Sequence, residues 1–350
     1  MKSQMSQFFR SKNPFRDTSR KSSPKSPLPQ NLIYAMDQFE ETLSDRIKNL
    51  IPKKEREVGS FEWMKSAMDC LTAVHGDIEN LIKTVDLPIA AWDEEWIQIY
   101  LDTSVKLLDL CIAFSSEIAR LNQGNLFVQC AVHDLDGDVS KQMTRARSSF
   151  ERRRRSVSSG NRRMKNCPLI LKSIVETLDM PKVRASAKAK GKALMSGMYG
   201  MRVLSVFLCG VFGTILSGET ENMVELRVSE SYEWAGDYGD LQKAVNGGLR
   251  ALKGEREGTL LREVESVDDA MRRTASDEAE WVKDLRERVN SLSDVLESLD
   301  NQVNAIFKVV LAGRDALLTA FRSSTNLVPN LDILNLKQST GFSESTFALA

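Results

Sequence analysis

Between residues 281 and 321, apolar side chains return every three or four positions: Trp281, Leu285, Val289, Leu292, Leu296, Leu299, Val303, Ile306, Val310, Leu317 and Phe321. Near-heptad spacing sustained this long specifies one continuous helix, a rod of about 60 Å at 1.5 Å per residue. Such a seam must pack against other long helices, in the same chain or in a partner. The expected fold class is therefore all-α, an elongated bundle of long antiparallel helices.

The rest of the chain repeats the pattern. Leu32, Met36, Phe39, Leu43, Ile47 and Leu50 lie on one helical face, and Pro52 and Gly59 close that element. Trp63, Ala67, Leu71, Val74, Ile78 and Leu81 form the inward face of a second helix over 60–85. Past Pro88, a third stripe runs Trp92, Trp96, Ile99, Thr103, Leu107, Leu110, Phe114, Ile118, Leu121, with Asp93, Glu94 and Glu95 in its first turn, where carboxylates complement the helix dipole. Gly124 reads as a stop before a shorter helix through His133, a helix follows over 166–179 up to Pro181, and Gly247, Gly248 and Gly254 mark a weak point in the later helices. Hydrophobic residues, 42% of the chain, suffice for a packed core, and the 7% aromatic content favours helix over strand.

Two ends fall outside this bundle. Residues 1–30 hold seven serines, seven Lys/Arg, four prolines and the single acid Asp17. That composition cannot offset its ordering entropy and reads as a disordered basic tail, although organellar transit segments look the same. After 326 the periodicity stops, and 327–350 reads as a loose tail. The expected bundle domain is thus 31–326.

The formal net charge of zero conceals a division. Residues 141–190 carry 15 bases against 3 acids, and residues 219–300 carry 21 acids against 11 bases. The stretch 141–165, with Arg152, Arg153, Arg154 and Arg155 consecutive, reads as a basic loop or helix end, because consecutive arginines would cover every side of a helix. Arginines preceding Ser156 and Ser158, and Arg272 and Arg273 preceding Ser276, make these serines candidates for basophilic phosphorylation. A single aromatic, Phe150, lies among the arginines and no recognition motif accompanies them, so no nucleic-acid partner is expected. In the tail, Asn13, Pro14 and Phe15 form the short ligand motif of EH domains.

Residues 203–218 carry no charge. Val203, Leu204, Phe207, Leu208, Val211, Phe212, Ile215 and Leu216 make either a buried central helix or a membrane segment, shorter than the about 20 residues a span needs. Extending it backwards takes in Arg202, which is costly in a bilayer unless it snorkels.

Catalytic signals are absent from the sequence. His75 and His133 lie on separate expected helices, HExxH, GxSxG and GxGxxG do not occur, and Gly191–Lys192 lacks a P-loop frame. Five cysteines without a CxxC pair favour a reducing compartment over a disulfide or zinc framework. No catalytic, cofactor or metal residues are assigned.

Several segments together resemble the plant BYPASS family: DLPIAAWDEEWIQIYLDTSVKLLDLCIAFSSEIARLNQG (86–124), FEWMKSAMDCL (61–71), Met-Pro-Lys-Val (180–183), KGKALMSGMYGMRVLSVFLCGVFGTILSG (190–218), VVLAGRDALLTAFR (309–322) and the early Asn-Pro-Phe. The resemblance runs in order over nearly the whole chain and is weakest in 219–300, and the Arg152–Arg155 run departs from it. It implies a plant-specific regulator of root and shoot development that restrains a root-derived mobile growth-arrest signal with a carotenoid connection. It carries no catalytic residue. It implies partners of the 14-3-3 or exocyst type, and family members described as plastid, cytosolic or membrane-associated. The reading that follows is an intracellular, non-enzymatic helical adaptor, cytoplasmic with membrane association or, through the transit-like tail, plastid. A membrane protein of traffic or lipid-surface scaffolding and an enzyme of apocarotenoid metabolism are the alternatives.

Overall fold

The computed structural model describes residues 30–85, 94–135, 139–158, 160–178, 189–254, 258–273 and 278–325. Among these residues the chain forms nine α-helices and two short 3-10 turns, with no strand. They are α1 (Gln30–Leu50), α2 (Phe61–Val85), α3 (Glu94–Asp134), α4 (Val139–Ser158), α5 (Arg162–Val175), α6 (Ala189–Ser217), α7 (Ala235–Lys253), α8 (Arg262–Arg272) and α9 (Glu278–Thr325).

The all-α expectation holds, and the two longest helices organise it. The 41-residue α3 and 48-residue α9 run antiparallel. Asn125 donates to the Val289 carbonyl at 2.9 Å near one end, and Arg314 donates to the Leu101 carbonyl at 2.8 Å near the other. Within the α9 seam, Leu285, Val289, Leu292, Leu296, Leu299, Val303, Ile306, Val310 and Leu317 are all buried. Trp281 is half-buried and donates its indole N–H to the Ala270 carbonyl, tying α9 to α8.

Helix α6 lies in the middle, packed by α1, α2, α3, α5 and α7. Val203, Leu204, Phe207, Leu208, Val211, Phe212, Ile215 and Leu216 are each at most 3% exposed. A helix apolar on every side is satisfied by burial on every side. Leu194–Ser217 is long and apolar enough to cross a membrane, but here its apolar surface is already covered by protein. The Arg202 guanidinium is buried too, donating to the Thr177 carbonyl at 2.8 Å and hydroxyl at 2.7 Å. Gly218 (φ +75°) ends the helix, and the chain returns to cap it: Leu260 N–H and the Thr259 hydroxyl both donate to the Ile215 carbonyl.

Three local expectations are corrected and one pair of alternatives is decided. Of the loop and helix-end readings of 141–165, the helix end holds for the arginines: α4 carries all four, in its last turns, to Ser158. One of them, Arg153, turns into the protein while Arg152, Arg154 and Arg155 stay solvated, so a helix with an arginine on every side finds a partner for the inward one. Gly124 does not break α3, where it is buried inside the helix. Gly247 and Gly248 lie within α7, because Gly248 lets the helix approach the backbone of Glu55, where a Cβ would stand 2.5 Å from the carbonyl oxygen. The helix expected over 166–179 begins earlier, where the Asn161 side chain caps Arg163 N–H at 2.9 Å, and tolerates Pro168 in its interior.

Candidate functional site

Several interior polar groups make helix-to-helix contacts. His75 on α2 meets the Ser205 hydroxyl on α6 at 3.0 Å, and burial pulls its pKa down to about 4. It is neutral and shut away from solvent, whereas His133 is exposed on α3. Burial pushes the thiols of Cys70, Cys111 and Cys167 up to about 12 and that of Cys209 well above its usual value, so none of the four is a nucleophile at neutral pH. Burial also lowers Arg202 to about 10, which leaves it charged.

At least two concavities are lined by described residues. One lies between α5 and α6, against Met164, Cys167, Leu171, Gly210 and Thr214, with room for about one water. The other is an open groove of about 290 Å³ between α8 and α9, lined by Glu263, Ser266, Asp284, Glu287, Arg288 and Ser291. Its charges are partly spent, since Arg288 bonds Asp284 at 2.8 Å and the Ser266 hydroxyl at 2.6 Å. The described residues contain no group of three or more His, Cys, Asp or Glu placed to hold a metal ion.

A dense run of like charge lies on the surface. Arg120 of α3 donates to the Ser156 carbonyl, Asn161 to the Ser116 hydroxyl, and Lys106 to the Ser173 carbonyl. These contacts lay α4 and then α5 end to end along α3, antiparallel to it, with the turn at Gly160 (φ +64°) between them. The row presents Arg145, Arg147, Arg152, Arg154, Arg155, Arg162, Arg163 and Lys165, all exposed. The single acid in this stretch is Glu151, 3.9 Å from Arg154. A ridge about 30 Å long, from Arg145 to Lys165, therefore carries nearly unopposed positive charge.

The candidate serines stand differently. Ser156 is half-buried in the last turn of α4, and its carbonyl is held by Arg120. Ser158 ends the same helix. Ser276, Asn13, Pro14 and Phe15 lie outside the described residues. The eight residues Val203 to Leu216 come together in the core. Sequence reasoning missed the Arg153–Asp268 ion pair at 2.9 Å and the Asn125–Gln129–Ser293 cluster joining α3 to α9. The second left a trace, a polar residue interrupting an inward stripe, and the first left none.

Fold and surface together define an all-helical bundle protein in which several buried polar groups bridge helices and a run of positive charge lies along one outer ridge. The chain belongs to the BPS1 family: residues 67–319 match the family described as Protein BPS1. It is 37% identical over 322 residues to Protein BPS1, chloroplastic, of Arabidopsis thaliana, covering 90% of this chain and 91% of that protein. It is 36% identical over 270 residues to UPF0496 protein 4 of Oryza sativa subsp. japonica, where the match covers 76% of this chain but 58% of the rice protein. No solved structure matches the chain.

Proposed function

We propose that this chain is a non-enzymatic regulator of plant root and shoot development that acts by docking proteins on its surface and restrains a root-derived growth-arrest signal. Family membership supports the developmental role. The observation that carries the docking role is the α4–α5 ridge, whose outer arginines have almost no acidic neighbours to neutralise them. Such a surface suits a partner with an acidic face, of the exocyst or 14-3-3 type. The word "chloroplastic" in the Arabidopsis relative's name favours a plastid location over the cytoplasm, with residues 1–30 as the transit segment.

The test is complementation of plants lacking the family member. The wild-type chain restores shoot growth, and the triple variant Arg147→Glu/Arg154→Glu/Arg155→Glu, melting at the wild-type temperature, does not. Full rescue by that variant removes the ridge from the function. A fluorescent fusion of the whole chain enters plastids, and one lacking residues 1–30 stays outside; identical distributions for the two fusions reject the transit role.

A further inference from the structure

Helix α3 has an apolar face that no other element of the described chain covers. Val105, Ile112 and Leu126 are 43%, 39% and 51% exposed, and Ala119, also exposed, completes a seven-residue repeat with them. Successive members of such a repeat stay on one side of a helix, so the four residues make a seam about 32 Å long. It differs from the scattered apolar residues of an ordinary surface in being linear and in register.

The charges beside the seam indicate what covers it. Lys106 reaches across to α5 and pairs with Asp102 at 2.6 Å, which puts Asp102 on the α4–α5 flank of α3. Asp109, three residues after Lys106, lies on that flank as well, exposed and without an ion pair among the described residues. Farther along the same flank, Arg120 holds Ser156, and one turn back from Ser156 on α4 stands Arg152, exposed and likewise without an ion pair. The flank is thus acidic toward the start of α3 and basic toward its end.

We propose that the α3 seam is a homodimer interface in which two copies pack their α3 helices antiparallel about a two-fold axis. The axis passes between Ile112 and Ala119. It sets Ile112 against the partner's Ala119 and Val105 against the partner's Leu126. A two-fold axis of this kind keeps like flanks together while reversing their direction, so each Asp109 meets the partner's Arg152. The seam supplies about 400 Å² per copy, half the roughly 800 Å² of a standard interface, and the flanks supply the remainder. The charged flanks make the dimer weaken with salt. This inference is independent of the outer ridge residues Arg147, Arg154 and Arg155.

Sedimentation equilibrium of the full chain, from low to high micromolar concentration, tests it. The wild type reaches the dimer mass. Ile112→Asp with Leu126→Asp weakens association at least about tenfold with the circular dichroism unchanged, since both side chains are exposed. Asp109→Arg alone and Arg152→Asp alone weaken it, and the two together restore it. If the apolar double variant loses helicity, the charge pair decides. A monomer at every concentration, a dimer unmoved by the seam variants, or failure of the charge pair to restore association overturns the proposal.

Discussion

His75 shows how one residue couples packing to solution conditions. Unfolded, its imidazole takes a proton near pH 6.5; folded, burial delays this to about pH 4. Between those values the unfolded chain binds the extra proton, so stability falls as pH drops through that window and is complete above it. The shift corresponds to roughly 3 kcal/mol. Urea unfolding at pH 7 and pH 4.5 should show His75→Gln losing less stability on acidification than wild type. Gly218 makes the complementary point through backbone geometry. Its φ of +75° suits glycine alone, and a Cβ would stand 1.7 Å from the Gly258 carbonyl oxygen. Gly218→Ala should cost about 2 kcal/mol or more in thermal unfolding, because both the turn and the returning 258–260 segment must shift.

At the scale of elements, α4 is the informative case. It packs along α3, and its buried guanidinium at Arg153 is anchored by Asp268 of α8. Asp268 keeps 31% of its side chain exposed, so solvent screens the pair in part. Removing the carboxylate alone still leaves a buried charge behind. Asp268→Ala is expected to destabilise by about 1–3 kcal/mol, whereas Arg153→Met, which fills the same space without charge, should be close to neutral. Chemical denaturation of both variants separates a true anchor from an incidental contact. Helix α3 differs from α6 at this scale: both are apolar around most of their circumference, but only α6 finds cover on every side.

For the whole molecule, α6 acts as the axle. It touches five other helices, so its loss would expose much of the core at once. Leu208→Lys puts a charge at a position 0% exposed and should cost about 4 kcal/mol or more, seen as loss of the cooperative thermal transition. A chain that used this helix to span a bilayer would show no such link between Leu208 and the packing of α1, α2 and α7. The same arrangement leaves the outer arginines of α4 and α5 clear of the core, so charge reversals there should leave the melting temperature unchanged.

Much of this was legible in the residues themselves. The α9 seam, the inward stripes of α2 and α3 and the all-helical class follow from period and length, because burying one face of a long helix demands a regular repeat of apolar side chains. Arg202 and residues 203–216 left two outcomes open, since a core and a bilayer both accept an apolar helix; in the folded chain neighbouring helices cover the segment and Thr177 pairs with Arg202. Gly124 and Gly248 looked like breaks because a glycine weakens an isolated helix, yet packing overrode propensity at both. Arg153 looked no different from Arg152, Arg154 and Arg155, and only the position of Asp268, 115 residues later, singled it out. The sequence by itself determined which segments are helices and which side chains seek cover. The tertiary structure decided which of them obtain it, because burial depends on neighbours brought from far along the chain, and it left the seam from Val105 to Leu126 uncovered.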